Sequence, residues 1–241
     1  AHAGDVRRRA ADHRAGVTIS RARRATRLQF LLLGIAVGTW GTHIPSVSAR
    51  YSLSDATLSI VLLAVAAGTV SALFVAGTVI ARLGARNTVA AFGLAMGLSL
   101  CFVLEYPGIL ALVAAMLLFG ASMSLFDVAI NTEGSELESL GGRPVLSNLH
   151  GMFSVGGMLG AGLTSGFLEM HVGPSTQLFA VGGCLSIVAL LASRAMLETH
   201  ASTDSDAKHF AWPKGVLLLI ELRMALRVRH VVQDKEPGTR A

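Results

Sequence analysis

Charge is scarce in this chain. Only 15% of its 241 residues are charged and 52% are hydrophobic, whereas an ordinary soluble domain carries about 25% charged residues. That balance argues against a water-soluble domain. Cysteine is nearly absent too: Cys101 and Cys184 both fall inside apolar runs, so they read as small membrane residues and not as a disulfide or a metal pair. No G-x-x-x-x-G-K-S/T loop is present to cradle a phosphate, and there is no zinc-ligand spacing and no activated nucleophile. The chain therefore reads as a non-enzyme with no cofactor and no metal, and an ATP-driven pump would need its nucleotide site on a partner. The net charge of +5 does not imply nucleic acid, because eight of the arginines crowd into the first 27 residues.

What the chain has instead is long uncharged runs. They extend from Leu28 to Ala49, Ala56 to Ala81, Asn87 to Leu104, Tyr106 to Phe126, Pro144 to Leu168 and Val172 to Ser193. Each reaches the roughly 18–20 residues that cross about 30 Å of hydrocarbon at 1.5 Å per residue. Runs this long and continuous are helices and not barrel strands. The reading is an all-α integral membrane protein with six transmembrane helices. Its parts are a basic tail at residues 1–27, a membrane domain at 28–197, and a linker with a further segment at 198–241. With the arginine-rich tail in the cytoplasm, Arg50 is the one basic residue left in the external turns, so both ends of the six-helix unit are expected inside. The tail itself is expected to be solvated and disordered near anionic lipid; an organellar presequence is disfavoured by Asp5 and Asp12.

Several intramembrane residues are candidates for chemistry. Trp40 and His43 follow Gly34, Gly38 and Gly41 in the first span, and Pro45 is expected to kink or end that helix. Trp40 reads equally as an interfacial belt residue or a cavity-lining one, and His43 as a neutral hydrogen-bonded group or a proton carrier. Asp127 adjoins an otherwise apolar span, with Asn131 one turn beyond it. It reads either as a helix-end charge or as an ion-pairing, proton-handling group. Asn148, His150 and Ser154 lie at helical spacing where the fifth span begins, ahead of Gly156, Gly157, Gly160, Gly162 and Gly166. A short echo aligns L-L-G-I-A-V-G-T-W-G near Gly34 with L-F-G-A-S-M-S-L-F-D near Gly120, placing Trp40 against Phe126. Helices one and four cross in opposite directions, as an inverted three-plus-three repeat requires.

The stretch G-T-V-I-A-R-L-G-A-R joins the second and third spans through Gly77, Arg82, Gly84 and Arg86. Its spacing resembles the signature between helices two and three of the major facilitator superfamily, with Ala81 where that pattern has Asp. G-T-W-G-T-H-I-P, F-D-V-A-I-N with Glu136 and Glu138 after it, and G-R-P-x-x-S-x-x-H-G-x-F-S-x-G-G complete the resemblance. Together they resemble a bacterial group of facilitator permeases typified by YbjJ, over about residues 28 to 220. That group's first-helix motif is expected to carry Arg where His43 stands.

The resemblance implies the N-terminal half of a twelve-span secondary transporter of the inner membrane, moving an unknown small solute by alternating access. Trp40, His43, Phe126, Asp127, Asn131, Asn148 and His150 would border the pathway. Gly77, Arg82, Gly84, Arg86, Glu136 and Glu138 would form the cytoplasmic gate, with Asp127 pairing with Arg86 in place of the missing acid. A second six-helix half or a homodimer would complete the pathway in the lipid bilayer. The segment after Glu221 changes character, and reads as a truncated seventh helix or as an interfacial basic helix. The other function class is a non-transporting membrane remnant or assembly partner.

Overall fold

The computed structural model describes residues 2–198, with side chains from residue 16 onward except residue 17. Residues 199–241, and with them the expected seventh segment, lie outside the described residues. Within them the chain is helical, with no strand: α1 (His2–Arg50), α2 (Asp55–Cys101), α3 (Ile109–Gly141), α4 (Leu146–Glu169) and α5 (Pro174–Ser193). All five are long and apolar enough to cross a membrane.

Two expectations for α1 are corrected. The helix starts at His2 and not after residue 27, because the alanine- and arginine-rich stretch before the first span favours helix. Of the kink or end expected at Pro45, the end is excluded, because the helix runs on to Arg50. The proline removes one backbone N–H from the helix and its ring crowds the Gly41 carbonyl four residues back, and the helix absorbs both without ending.

Five elements stand where six spans were expected, because the second and third runs share α2. Gly84 breaks this element, with φ 78° and ψ 157°, a conformation that costs glycine little and other residues much. An unbroken 47-residue helix would be about 70 Å long at 1.5 Å per residue. Yet the Tyr51 hydroxyl, just before α2, donates to the carbonyls of Val103 at 3.0 Å and Tyr106 at 3.2 Å, just after it. The two ends of α2 meet, so the chain doubles back at Gly84.

Glycines set how closely the helices approach. A Cβ on Gly34 of α1 would lie 2.1 Å from the Phe153 carbonyl oxygen of α4, and one on Gly156 would lie 2.2 Å from that of Leu31. In the first part of α2, a Cβ on Gly68 would lie 2.0 Å from the Leu117 oxygen of α3, and one on Gly120 the same distance from that of Val65. The second part of α2 meets α5 in the same way, Gly97 against the Gly182 oxygen and Gly182 against that of Gly97. Such backbone approach is how membrane helices gain dispersion contact without a hydrophobic driving force between them. Between these seams lies a core containing Phe30, Met96, Met116, Phe119, Phe126 and Leu149.

Candidate functional site

A cavity of about 380 Å³ opens between α1, α2, α3 and α4. Its apolar walls are Phe30, Leu33 and Val37, then Leu73, Met123 and Phe153. Helical spacing explains the set, since positions three and four apart share a face. The polar lining is Thr69, Ser124, Asp127 and His150. Thr69 is already engaged, its hydroxyl reaching the carbonyls of Val65 at 2.9 Å and Gly120 at 3.2 Å. Ser124 is 4% exposed and its Oγ has no hydrogen-bond partner.

Asp127 is half-buried, and its Oδ1 accepts from Asn131 Nδ2 at 3.0 Å, while the same amide reaches the Asp127 carbonyl at 2.9 Å. His150 comes from α4 with its ring edge-on to Phe30, centroids 5.4 Å apart. It is near enough to Asp127 to interact with its charge.

Of the seven candidate pathway residues, the cavity thus collects Asp127 and His150, and Asn131 serves as Asp127's hydrogen-bond donor. Trp40 packs on Phe119 with centroids 5.8 Å apart and is 8% exposed. Phe126 is fully buried, and a Cβ on Gly93 of α2 would touch its ring. His43 is fully buried as well, its Nδ1 3.4 Å from the Ser46 hydroxyl and its Nε2 without a partner. Asn148 is exposed at the start of α4.

The gate candidates divide as well. Arg86 forms an ion pair with Glu198 beyond the end of α5 and not with Asp127. The cause is the packing of α2: its second part lies against α5, whereas Asp127 faces the α1–α4 cavity. Glu138 accepts from the backbone N–H groups of Val145 at 2.5 Å and Leu146 at 2.9 Å, satisfying orphan donors at the start of α4. Arg82 is exposed, Gly77 faces open space, and Glu136 stands close to Glu133. Sequence reasoning missed Glu133, which is 1% exposed and accepts from Leu197 N–H at 2.7 Å. It also missed Thr69 and Ser124, although their helical spacing to Leu73 and Asp127 was there to be read. No cluster of three or more metal-ligating side chains occurs among the described residues.

Five apolar helices with a partly polar cavity among them define a multi-pass, all-α membrane protein. Comparison with known proteins narrows that class. The chain is 34% identical over 198 residues to an uncharacterized MFS-type transporter of Yersinia pestis, covering 81% of this chain and 51% of that protein. It is 31% identical over 199 residues to an uncharacterized transporter of Sinorhizobium fredii, covering 80% and 52%. It is also 31% identical over 136 residues to the membrane protein MosC of Rhizobium meliloti, covering 56% and 33%. By these relationships the chain is a major facilitator (MFS) permease-like protein, and the relatives named as transporters agree with reading it as a non-enzyme. The chain spans about half the length of the first two relatives. No protein-family model matches it, and no solved structure does.

Proposed function

We propose that residues 18–197 form one six-helix half of a secondary transporter, which moves a small solute by alternating access. The cavity around Asp127 and His150 is this half's share of the pathway. That cavity carries the proposal: it is concave, mostly apolar, and lined from four helices, three of which converge a few polar groups on it, as small-molecule sites do.

In this reading α2 supplies two spans, giving six in an inverted three-plus-three arrangement. The glycine contacts support it. Shifting α1 onto α3 by 86 residues, the register of the Trp40–Phe126 echo, carries Leu31 to Leu117 and Gly34 to Gly120. Shifting the first part of α2 onto α4 by 88 carries Val65 to Phe153 and Gly68 to Gly156. The contact of Gly34 with Phe153 then becomes that of Gly120 with Val65, and Gly156 with Leu31 becomes Gly68 with Leu117. The contact of Gly97 with Gly182 maps onto itself. A two-fold in the membrane plane produces such a pattern. The arginine-rich start of α1 and the Gly84 turn then face the cytoplasm of an inner-membrane protein. A second six-helix unit, or a second copy of this chain, covers the open side of the cavity.

The test is aqueous access. Leu73 lines the cavity and is 54% exposed; Ile187 on α5 is 60% exposed and lies outside it. With Cys101 and Cys184 replaced by alanine, Leu73→Cys should react with hydrophilic methanethiosulfonates in membranes and Ile187→Cys should not. Equal inertness of the two positions would reject the pathway.

A further inference from the structure

We propose that the solute is a small organic cation, a protonated amine on an apolar body. This rests on the reading of the cavity as a transport pathway and adds the chemistry of what passes through it.

The fixed charge of the site points this way. Asp127 is the cavity's one carboxylate, and no Lys or Arg lines the cavity. The ion pair found among the described residues joins Arg86 to Glu198, so no guanidinium among them is paired with Asp127. Its recorded side-chain partner is the neutral amide of Asn131, which engages Oδ1 and leaves Oδ2 for a ligand. The other ionisable lining group is His150, a ring held edge-on by Phe30. An anionic solute would meet a carboxylate in low dielectric with no Lys or Arg lining the cavity to offset it. An ammonium would form a charge-assisted hydrogen bond there.

Two further features shape the ligand. Ser124, three residues before Asp127 on α3, is nine-tenths buried with its Oγ unpartnered on the same cavity. A buried hydroxyl without a partner costs free energy, and a turn of this side chain into the cavity would let a second N–H or a hydroxyl of the solute satisfy it. Opposite, Phe30, Leu33, Val37, Leu73 and Phe153 offer an apolar wall with two aromatic rings. A cation with an apolar or aromatic body fits such a wall, and rings add cation–π attraction. An inorganic cation would leave that wall unused.

The test reads the sign of the field and the fit of the solute separately, on the whole 241-residue chain with Cys101 and Cys184 replaced by alanine. Leu73→Cys is labelled with cationic and anionic methanethiosulfonates of similar size, each rate normalised to a free thiol. A focused negative field should favour the cationic reagent by about tenfold or more, and Asp127→Asn should bring the ratio close to one. In parallel, binding of phenethylammonium, 2-phenylethanol and 3-phenylpropionate is measured by equilibrium dialysis in nanodiscs. Phenethylammonium should bind at least about tenfold more tightly than either analogue, and Asp127→Asn should remove that preference while Asp127→Glu restores part of it. Asp127→Asn keeps the shape and the Asn131 contact, and gel filtration confirms that each variant is folded. A labelling ratio near one in the unmodified site, or equal binding of the alcohol, would overturn the cation assignment and leave the pathway standing. No reaction at Leu73→Cys with either reagent would overturn the pathway and the assignment together.

Discussion

Replacing Gly34 by alanine should destabilise the bundle even though alanine is the better helix former. The new Cβ would sit 2.1 Å from the Phe153 carbonyl oxygen and 2.7 Å from the Gly157 nitrogen. Favourable separation begins near about 3.5 Å, and both obstacles are helix backbone, which cannot rotate away as a side chain would. α1 and α4 must therefore part by roughly 1 Å, and overpacking of this kind costs about 1–3 kcal/mol. Alanine returns up to about 1 kcal/mol in helix propensity, so propensity has to be cancelled by a control. Gly162→Ala on α4 supplies it, because a Cβ there meets nothing within 4 Å. The two variants should differ by about 1–3 kcal/mol, with Gly34→Ala the less stable. A chain of this size loses about 2–4 °C of melting temperature per kcal/mol, measurable by thermal unfolding in detergent followed by gel filtration. Gly68→Ala and Gly120→Ala, whose Cβ atoms would lie 2.0 Å from backbone oxygens, should behave like Gly34→Ala. Adding Gly156→Ala to Gly34→Ala should cost less than the sum, since the seam is already open. If Gly34→Ala and Gly162→Ala melt alike, the helices do not approach through these glycines.

Three further outcomes follow from the loops and caps. A double-mutant cycle with Arg86→Gln and Glu198→Gln should show coupling of at most about 1 kcal/mol, because Glu198 is 74% exposed; Arg86→Gln with Asp127→Asn should be additive, and coupling there would contradict the ion pairing described above. Glu138→Ala should speed hydrogen exchange at the Val145 and Leu146 amides, and unchanged exchange would remove its capping role. Tyr51→Phe should cost about 1 kcal/mol through loss of the hydroxyl's carbonyl contacts. Burial, the largest cause, raises the Tyr51 phenol above its ordinary value of 10.0. Its contribution is therefore complete below pH 10 and lost as the pH climbs past the folded-state value; an ultraviolet titration in which Tyr51 ionises at or below pH 10 would refute this.

Helix content and membrane class were legible because an apolar run of about 20 residues has few other fates. Gly84 was legible as a turn for a local reason, the glycine between Arg82 and Arg86, and its positive φ agrees. The site was half legible. Asp127 and His150 stood out as ionisable groups in or beside apolar runs, which are costly in a membrane. Trp40, Phe126 and His43 stood out equally, yet a helix turns 100° per residue, and they fall on faces that pack inward. Which face looks into the cavity depends on the glycine seams, and these are set by pairs of helices far apart in sequence. The Arg86 partner escaped for the same reason: Glu198 is 112 residues away, brought there by the contact of α2 with α5. Glu133 was overlooked because α3 runs on to Gly141, well past the end of its uncharged stretch.

The account turns on α2 crossing the membrane twice, which sets the number of spans and the side on which each end lies. Asn87, just past Gly84, is exposed, as are Ser52 in the turn after α1 and Thr176 in the first turn of α5. In the chain with Cys101 and Cys184 replaced by alanine, each position is changed singly to cysteine and treated in intact cells with a membrane-impermeant maleimide. Ser52→Cys and Thr176→Cys should label from outside, and Asn87→Cys only after the cells are opened. Labelling of Asn87→Cys from the same side as Ser52→Cys would mean that α2 does not cross twice, and would contradict the six-span half-permease.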